Sequence, residues 1–451
     1  MKKRLDKRSS FGSRFGAIAA VGGSVVGLGN IWRFPYLAGE NGGFAFILVY
    51  ILISFSIAVP IMLSEFTIGR SVRRNAKRAF QKLSPGTQWK SIGYLGIATA
   101  FVILSFYSVV AGWAMEFLKE SVLNQFHGKT AIEISTHFDA FTSSLWYPLF
   151  WTWIFILATG IIILSGIEKG IERYNKILMP LLVLILFVLV LNSFTLENAQ
   201  KGFSFLLSPD FSKISREVFL TALGQSFFSL SLGMGAMITY GSYINKQENL
   251  FRIAATVSLT DISVAILSGL AIFPAVFSFG INPTSGPELI FITLPNVFQQ
   301  MTGGYFIGIL FFILVFAAAI TSSVSLLEVI TAYLSQEMRL GRIRAGILAI
   351  IGVMLTGTLC VISQHPDSFL RVGGQNLVDF CNDLSSNIML PLGGFFIVVF
   401  AGWVMKPELF KAEITSKDSY GRTIYPAIRA LIRYVTPLMM AMLFLDLIGL
   451  L

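Results

Sequence analysis

Three carboxylic acids stand inside apolar stretches: Glu65 in PIMLSEFTIG, Asp261 in SLTDISVAILSGLAIFPAV and Glu328 in SVSLLEV. A carboxylate at membrane depth costs about 2.5–3.5 kcal/mol even on lenient insertion scales, so each needs a partner, a cation or a proton. Related segments carry small oxygen-bearing side chains, namely Asn30, Ser229, Thr321 and Ser322, which join Asp261 as candidates. Such donors suit hard cations rather than soft metals. Each has a plainer use: Thr321 and Ser322 can back-bond to the preceding helical turn, and Glu65 can hold unpaired amides of a broken helix. Glu328 is undecided. Cys360, Cys381 and the three histidines (His127, His137, His365) show no metal-ligand spacing. No nucleophile, base and metal cluster lies near these segments, so an enzyme is not expected.

Two stretches must position these groups. The first, GSVVGLGNIWRFPY from Gly23 to Tyr36, places Gly23, Gly27, Gly29, Asn30, Arg33 and Pro35 in the first apolar segment. A continuous lipid-facing helix there would be costly, and Pro35 disfavours helical geometry at Phe34. Unwound backbone survives at membrane depth only when buried in protein or lining a cavity. The second, GQSFFSLSLGMGAMITYGSY from Gly224 to Tyr243, repeats the oddity five segments later. Close packing of small residues explains either stretch alone; together they predict paired interruptions at corresponding places of two repeats, the pattern of a secondary transporter's binding site. A break leaves carbonyls at one end and amides at the other, equivalent to about half a charge of each sign. Carbonyls attract a cation and amides a carboxylate.

The whole chain agrees with a membrane location. Of 451 residues, 55% are hydrophobic and only 13% charged, which excludes most soluble classes. The net charge of +10 sits in clusters beside apolar spans, as membrane orientation requires, and does not imply nucleic acid. A window of about 20 apolar residues finds eleven spans, near 14–38, 43–70, 92–122, 148–167, 174–195, 217–243, 252–280, 304–335, 344–363, 377–403 and 424–450. The expected fold is an all-α polytopic membrane protein. The basic N-terminus and the loops at 70–90, 168–176, 339–344 and 406–422 fall on one side, the cytoplasm by the positive-inside rule. No removable signal peptide is read in the basic N-terminus. The one N-x-S/T match, Asn282-Pro283-Thr284, is blocked by its proline, and short loops favour a bacterial inner membrane. An apolar run in the external loop from Asn282 to Gly303, PELIFITLPNVFQQ, is placed to cap a cavity.

The motifs GSVVGLGNIWRFPY, ENGGFAF, GQSFFSLSLGMG, FITLP and AAITSS occur in order, and from about Arg8 to Gly402 the chain resembles the neurotransmitter:sodium symporters, which include the bacterial leucine transporter and the monoamine transporters. The resemblance implies a 5+5 inverted repeat with helices 1 and 6 broken: a tail at 1–13, repeats at 14–195 and 217–403, and a cytoplasmic loop with an eleventh helix at 404–451. It implies one sodium site from the Val25 carbonyl, Asn30, Ser229, Asp261 and the substrate carboxylate. A second would use Gly23, Val26, Ala318, Thr321 and Ser322. Substrate would lie against Val25, Gly27, Gly29, Ile103, Tyr107, Phe228, Ser229, Ser231, Met234, Ser323 and Leu326, its carboxylate on the Tyr107 hydroxyl and the amides near Leu28 and Gly29. For gates it implies Arg33 with Asp379 or Asp383 outside, since Asn382 occupies the family's acidic position. Inside it implies Arg8 and Tyr243, with Glu337 beside a Gln336 that replaces the usual aspartate.

Gly27 replaces the aspartate of monoamine transporters and leaves room for a substrate bringing its own carboxylate. With the lining of Ile103, Phe228, Met234 and Leu326, this points to a hydrophobic or aromatic α-amino acid, the flexible thioether of Met234 accommodating rings of several sizes. Asp261 stands where the leucine transporter has asparagine, which implies independence of chloride. Two alternatives stay open: a proton-coupled transporter using Asp261 as its titrating group, or a non-transporting amino-acid sensor. The expected partners are an amino acid, sodium and the lipid bilayer, without nucleic acid; monomer and homodimer are both open.

Overall fold

The computed structural model describes residues 10–280, 290–415 and 419–447. Nearly all of them are helical, apart from a two-stranded antiparallel hairpin that pairs Arg371 with Asn376 and Val372 with Gln375. Among the described residues nine helices are long and apolar enough to cross a membrane, and a tenth span is the bent pair Arg14–Val25 and Gly29–Glu40, inclined at 53°. The expected eleventh, the sixth in chain order, does not meet that length because it is split into Arg216–Ser229 and Ala236–Gly241.

Both interruptions follow from local chemistry. Helix Arg14–Val25 starts on Ser13, whose hydroxyl accepts the Gly16 amide, and stops where Val26 turns extended (φ −81°, ψ 103°). A wide π-type turn, Gly29–Arg33, then starts the second half. The proline expectation fails in detail: Phe34 is helical (φ −61°, ψ −47°). Pro35 lies inside the continuous half Gly29–Glu40, directly after the π-wound turn, where the Phe34 amide reaches back to the Gly29 carbonyl and the widened ladder accommodates a residue without an amide. In the sixth segment Ser231 and Gly233 adopt positive φ (53° and 81°). Glycine pays nothing sterically for that geometry; serine does, and is held there by a hydrogen bond from its hydroxyl to the Ser24 carbonyl, 2.9 Å.

Helices Lys90–Val122 and Gly304–Glu337 pack along their lengths and form, with Trp146–Leu164 and Arg342–Gln364, a frame beside the broken pair. The short helix Ala236–Gly241 lies tightly on helix Val59–Val72, where a Cβ on Gly69 would meet the Ile238 carbonyl oxygen at 1.9 Å. Close backbone approach through small residues is how helices associate where lipid removes the hydrophobic drive. Large apolar side chains remain exposed on the outer helices, Leu157, Ile161, Leu184 and Leu355 among them, as a lipid-facing surface requires.

Candidate functional site

The two breaks face each other across a small cavity, lined from the first by Ser24, Val25, Gly27, Leu28 and Gly29 and from the sixth by Phe228, Ser229, Ser231 and Met234. Helix Lys90–Val122 adds Ile103 and Tyr107; helix Gly304–Glu337 adds Ser322 and Leu326. Ser323 is not in this lining, although it was expected there. Ser322 and Leu326 share one helical face, and one residue further the side chain turns about 100° away. Ser24, not foreseen, is on the wall. Gly27 has no room for a side chain: an added Cβ would lie 2.3 Å from Ser322 Oγ and 3.1 Å from the Tyr107 hydroxyl.

The polar floor is built on Asp261, which is fully buried. Ser229 donates its hydroxyl to Asp261 Oδ1 at 2.5 Å, and the Asn30 amide donates to the same oxygen at 2.7 Å. Asn30 Nδ2 also reaches Ser229 Oγ at 3.0 Å, while its Oδ1 accepts the Gly27 amide at 3.1 Å. The other carboxylate oxygen accepts the Tyr50 hydroxyl. Beside this knot the Leu28 amide donates to the Tyr107 hydroxyl at 3.2 Å. Of the residues expected to hold a first cation, Asn30, Ser229 and Asp261 are thus brought together, and Val25 lies on the adjoining wall.

A second group of oxygens gathers at the lower end of the first break. The Val26 carbonyl accepts Thr321 Oγ1 at 3.2 Å and Ser322 Oγ at 3.3 Å, and Thr321 also donates to the Ala318 carbonyl at 2.9 Å. Thr321 and Gly23 are neighbours, a Cβ on Gly23 lying 3.3 Å from Thr321 Cβ. Back-bonding of Thr321 therefore occurs, but toward the same point as the loose carbonyl of the broken helix. Both donor sets consist of hard, mostly neutral oxygens, the chemistry an alkali cation needs. The second set fits a cation as it stands, the Val26 carbonyl coming from backbone freed by the break and the Ala318 carbonyl from an intact helix. In the first set Asn30 turns Nδ2 toward Ser229 and Asp261, so its amide would rotate to offer Oδ1 beside their oxygens.

Other residues serve the breaks without facing the cavity. Glu65 Oε1 accepts the Gly233 amide at 2.7 Å, so this buried acid satisfies unwound backbone of the sixth segment. Gln225 donates to the Gly29 carbonyl at 2.8 Å. Tyr50 and Gln225 were not foreseen. Both reach partners far along the chain, and nothing local in the sequence distinguishes them.

Above the cavity opens a wider vestibule that shares Leu28, Tyr107 and Phe228 with it, so these three form the partition. Arg33 lies over the Phe228 ring, 4.8 Å from its centroid, and lines the vestibule with Asp379 and Asn382. Arg33 Nη1 is buried without a hydrogen-bond partner, and the Asp379 carboxylate is bonded to Asn376 at 2.7 Å. Asp383 does not line the vestibule; it accepts from Gln375 and Asn382. Phe291, from the run expected to cap a cavity, does reach this vestibule.

The opposite side is sealed. Phe11 is packed edge-on against Tyr240 and Tyr243, and its amide donates to the Tyr243 carbonyl at 3.0 Å. Tyr243 donates its hydroxyl to Glu328, which also pairs with Arg342 at 2.6 Å. Glu337 is paired with Lys77 (2.5 Å) and Arg78 (2.6 Å), from the first turns after Asn75. Gln336 accepts the Asn75 amide at 2.9 Å. The expected inner-gate arginine, Arg8, lies outside the described residues.

A pocket between two facing broken helices, lined by hard oxygens and lying between a vestibule and a sealed opposite side, defines a secondary transporter. The particular lineage is plain as well: the chain belongs to the sodium:neurotransmitter symporter family, whose model matches residues 8–130 and 121–449. It is 36% identical over 447 residues to the uncharacterized sodium-dependent transporter YhdH of Bacillus subtilis, covering 99% of each chain. It is 37% identical to an uncharacterized sodium-dependent transporter of Haemophilus influenzae, covering 98% of each. The crystal structure of MhsT in complex with L-phenylalanine superposes with a TM-score of 0.89 at 42% identity, covering 98% of this chain and 100% of that one. The protein is accordingly a multi-pass, sodium-dependent membrane transporter and not an enzyme.

Proposed function

We propose that the protein carries a hydrophobic or aromatic L-amino acid into the cell together with sodium, at two cation sites, independently of chloride. The observation that carries this reading is the convergence of Asn30, Ser229 and Asp261 directly beside the Leu28 amide and Tyr107 hydroxyl. An amino-acid carboxylate resting on Leu28 and Tyr107 would face a cation held by the neighbouring oxygens. Ile103, Phe228, Met234 and Leu326 would surround the side chain. The bound phenylalanine of MhsT supports the substrate class.

Asp261 brings its own negative charge to the first site, leaving no need for a bound anion there. The second cation would rest among Gly23, Val26, Ala318, Thr321 and Ser322. Two charges moved through 100 mV supply roughly 4.6 kcal/mol, more than a thousandfold of accumulation. With the N-terminus in the cytoplasm of an inner membrane, the vestibule faces outward and Phe11 closes the inner side. Transport then consists of closing the first and opening the second around a fixed site. Uptake of labelled amino acids by proteoliposomes, with sodium, chloride and pH varied separately, tests the reading. Accumulation is expected to follow sodium and ignore chloride. Uptake that tracks pH and ignores sodium rejects symport with sodium in favour of proton coupling, and loss of uptake without chloride rejects the role given to Asp261.

A further inference from the structure

Helix Arg173–Ser193 approaches the first broken helix at one polar residue, Asn175, which is 1% exposed. Its amide nitrogen donates to the Ile171 carbonyl at 2.8 Å, one turn earlier. That bond fixes which end of the amide faces where, since a reversed amide would set two acceptor oxygens against each other. Oδ1 is therefore turned toward helix Arg14–Val25, and it is buried with no hydrogen-bond partner. An unpaired buried amide oxygen costs about 1–3 kcal/mol, so its retention calls for a partner.

The place it is aimed at is specific. A Cβ built on Gly23 would lie 1.8 Å from Asn175 Oδ1 and 3.3 Å from Thr321 Cβ. The Asn175 oxygen, the Gly23 backbone and the Thr321 side chain thus meet at one point, where the Val26 and Ala318 carbonyls also receive the Thr321 hydroxyl. Glycine at 23 is what admits the oxygen. We propose that Asn175 supplies a further oxygen to the cation of the second site, tying the broken helix to helix Arg173–Ser193 as well as to helix Gly304–Glu337. This rests on the reading of a second sodium site given above.

A neutral carbonyl dipole suits a hard monovalent cation and adds no charge to be carried through the cycle. The attachment point also matters. Asn175 lies three residues beyond an irregular stretch, Ile167–Glu172, which is wound in π fashion after Gly166 at φ 99°. The ion would therefore be coupled to a less regular part of the fold, and unwinding there would withdraw one ligand.

The competing use of Asn175 is a weak contact of its oxygen with the Gly23 Cα hydrogens, which involves no cation. Equilibrium binding of radioactive sodium to the purified transporter separates the two. Asn175→Ala is expected to raise the half-saturating sodium concentration about tenfold, the loss of one buried polar ligand. Asn175→Asp, nearly the same shape with a charge, is expected to lower it below that of the parent, and tests the idea even where the alanine variant folds poorly. Thr321→Ala serves as the reference. If both Asn175 variants stay within about twofold of the parent while Thr321→Ala weakens binding, Asn175 is a packing residue and the inference falls. If Thr321→Ala is also silent, the second site itself is rejected, and the inference with it.

Discussion

The cavity is closed on its two sides by different means. On the sealed side nearly every group is spoken for: Phe11 between two tyrosines, Tyr243 on Glu328, Glu328 on Arg342, and Glu172 accepting the Gly12 amide at 2.7 Å and Lys176 at 2.6 Å. Nearby, buried Arg70 donates to Glu413 at 2.6 Å and to the Glu248 carbonyl at 2.6 Å. On the vestibule side the partition is two aromatic rings and a leucine, with Arg33 over one ring and no ion pair to the acids across from it. One closure is a set of hydrogen bonds and ion pairs around buried groups, with the Tyr240 hydroxyl left without a partner; the other is packing with its polar latch undone. Truncating one partner of a buried pair costs several kcal/mol, whereas exposed pairs contribute little. The two sides should therefore answer single substitutions very differently.

The largest effect expected from breaking this asymmetry is at Arg342. Arg342→Ala leaves the fully buried Glu328 facing Tyr243 without its cation, at a cost of about 3–5 kcal/mol. Hydrogen exchange of residues 11–20 should then accelerate strongly, with the vestibule helix Ala131–Ser143 unchanged. Equal acceleration in both would mean global destabilisation and dissolve the contrast. Phe11→Ala is expected to follow, at about 3 kcal/mol for a deeply buried ring, with the same local signature and no change in Arg342. On the other side Phe228→Ala removes half of the partition and the ring under Arg33. Because Phe228 is only partly buried, about 1–2 kcal/mol is expected, read as a faster release of bound amino acid rather than as a change in inner-side exchange.

Much of this was legible beforehand, and the failures have a common cause. The breaks at Val26 and in the sixth segment show in sequence because glycine, asparagine and serine clusters contradict a spanning helix over a few neighbouring positions. The partners of Asp261 followed from the family resemblance, and Asn30 and Ser229 do reach it. What stayed hidden depends on rotation about a helix axis or on distant partners. Ser322 and Ser323 differ by one residue and by facing or missing the cavity. The pairing of Glu337 with Lys77 and Arg78 likewise comes from a helix that no periodicity aims at it. Pro35 misled for the opposite reason, since a π-wound turn just before it lets a proline stand inside a helix without ending it.

The smallest expected effect decides between the two acids offered for the vestibule gate. Arg33 and Asp379 line the same space, and the carboxylate of Asp379 is tethered by Asn376, the residue that caps helix Leu377–Asp383 and accepts the Asp379 amide at 3.0 Å. Asp383 accepts from Gln375 and Asn382 and is not among the residues lining that space. Closing the vestibule would carry the helix toward Arg33, and Asp379 is the acid on the facing side. An ion pair formed at a hydrated surface is worth about 0.2–1 kcal/mol, and salt should weaken it. Asp379→Asn should therefore lower apparent substrate affinity up to about fivefold at low ionic strength, fading at high. Asp383→Asn should leave affinity and its salt dependence unchanged. The reverse pattern would mean that the helix turns as it closes, and the packed partition of Phe228, Tyr107 and Leu28 would then have to come apart rather than tighten.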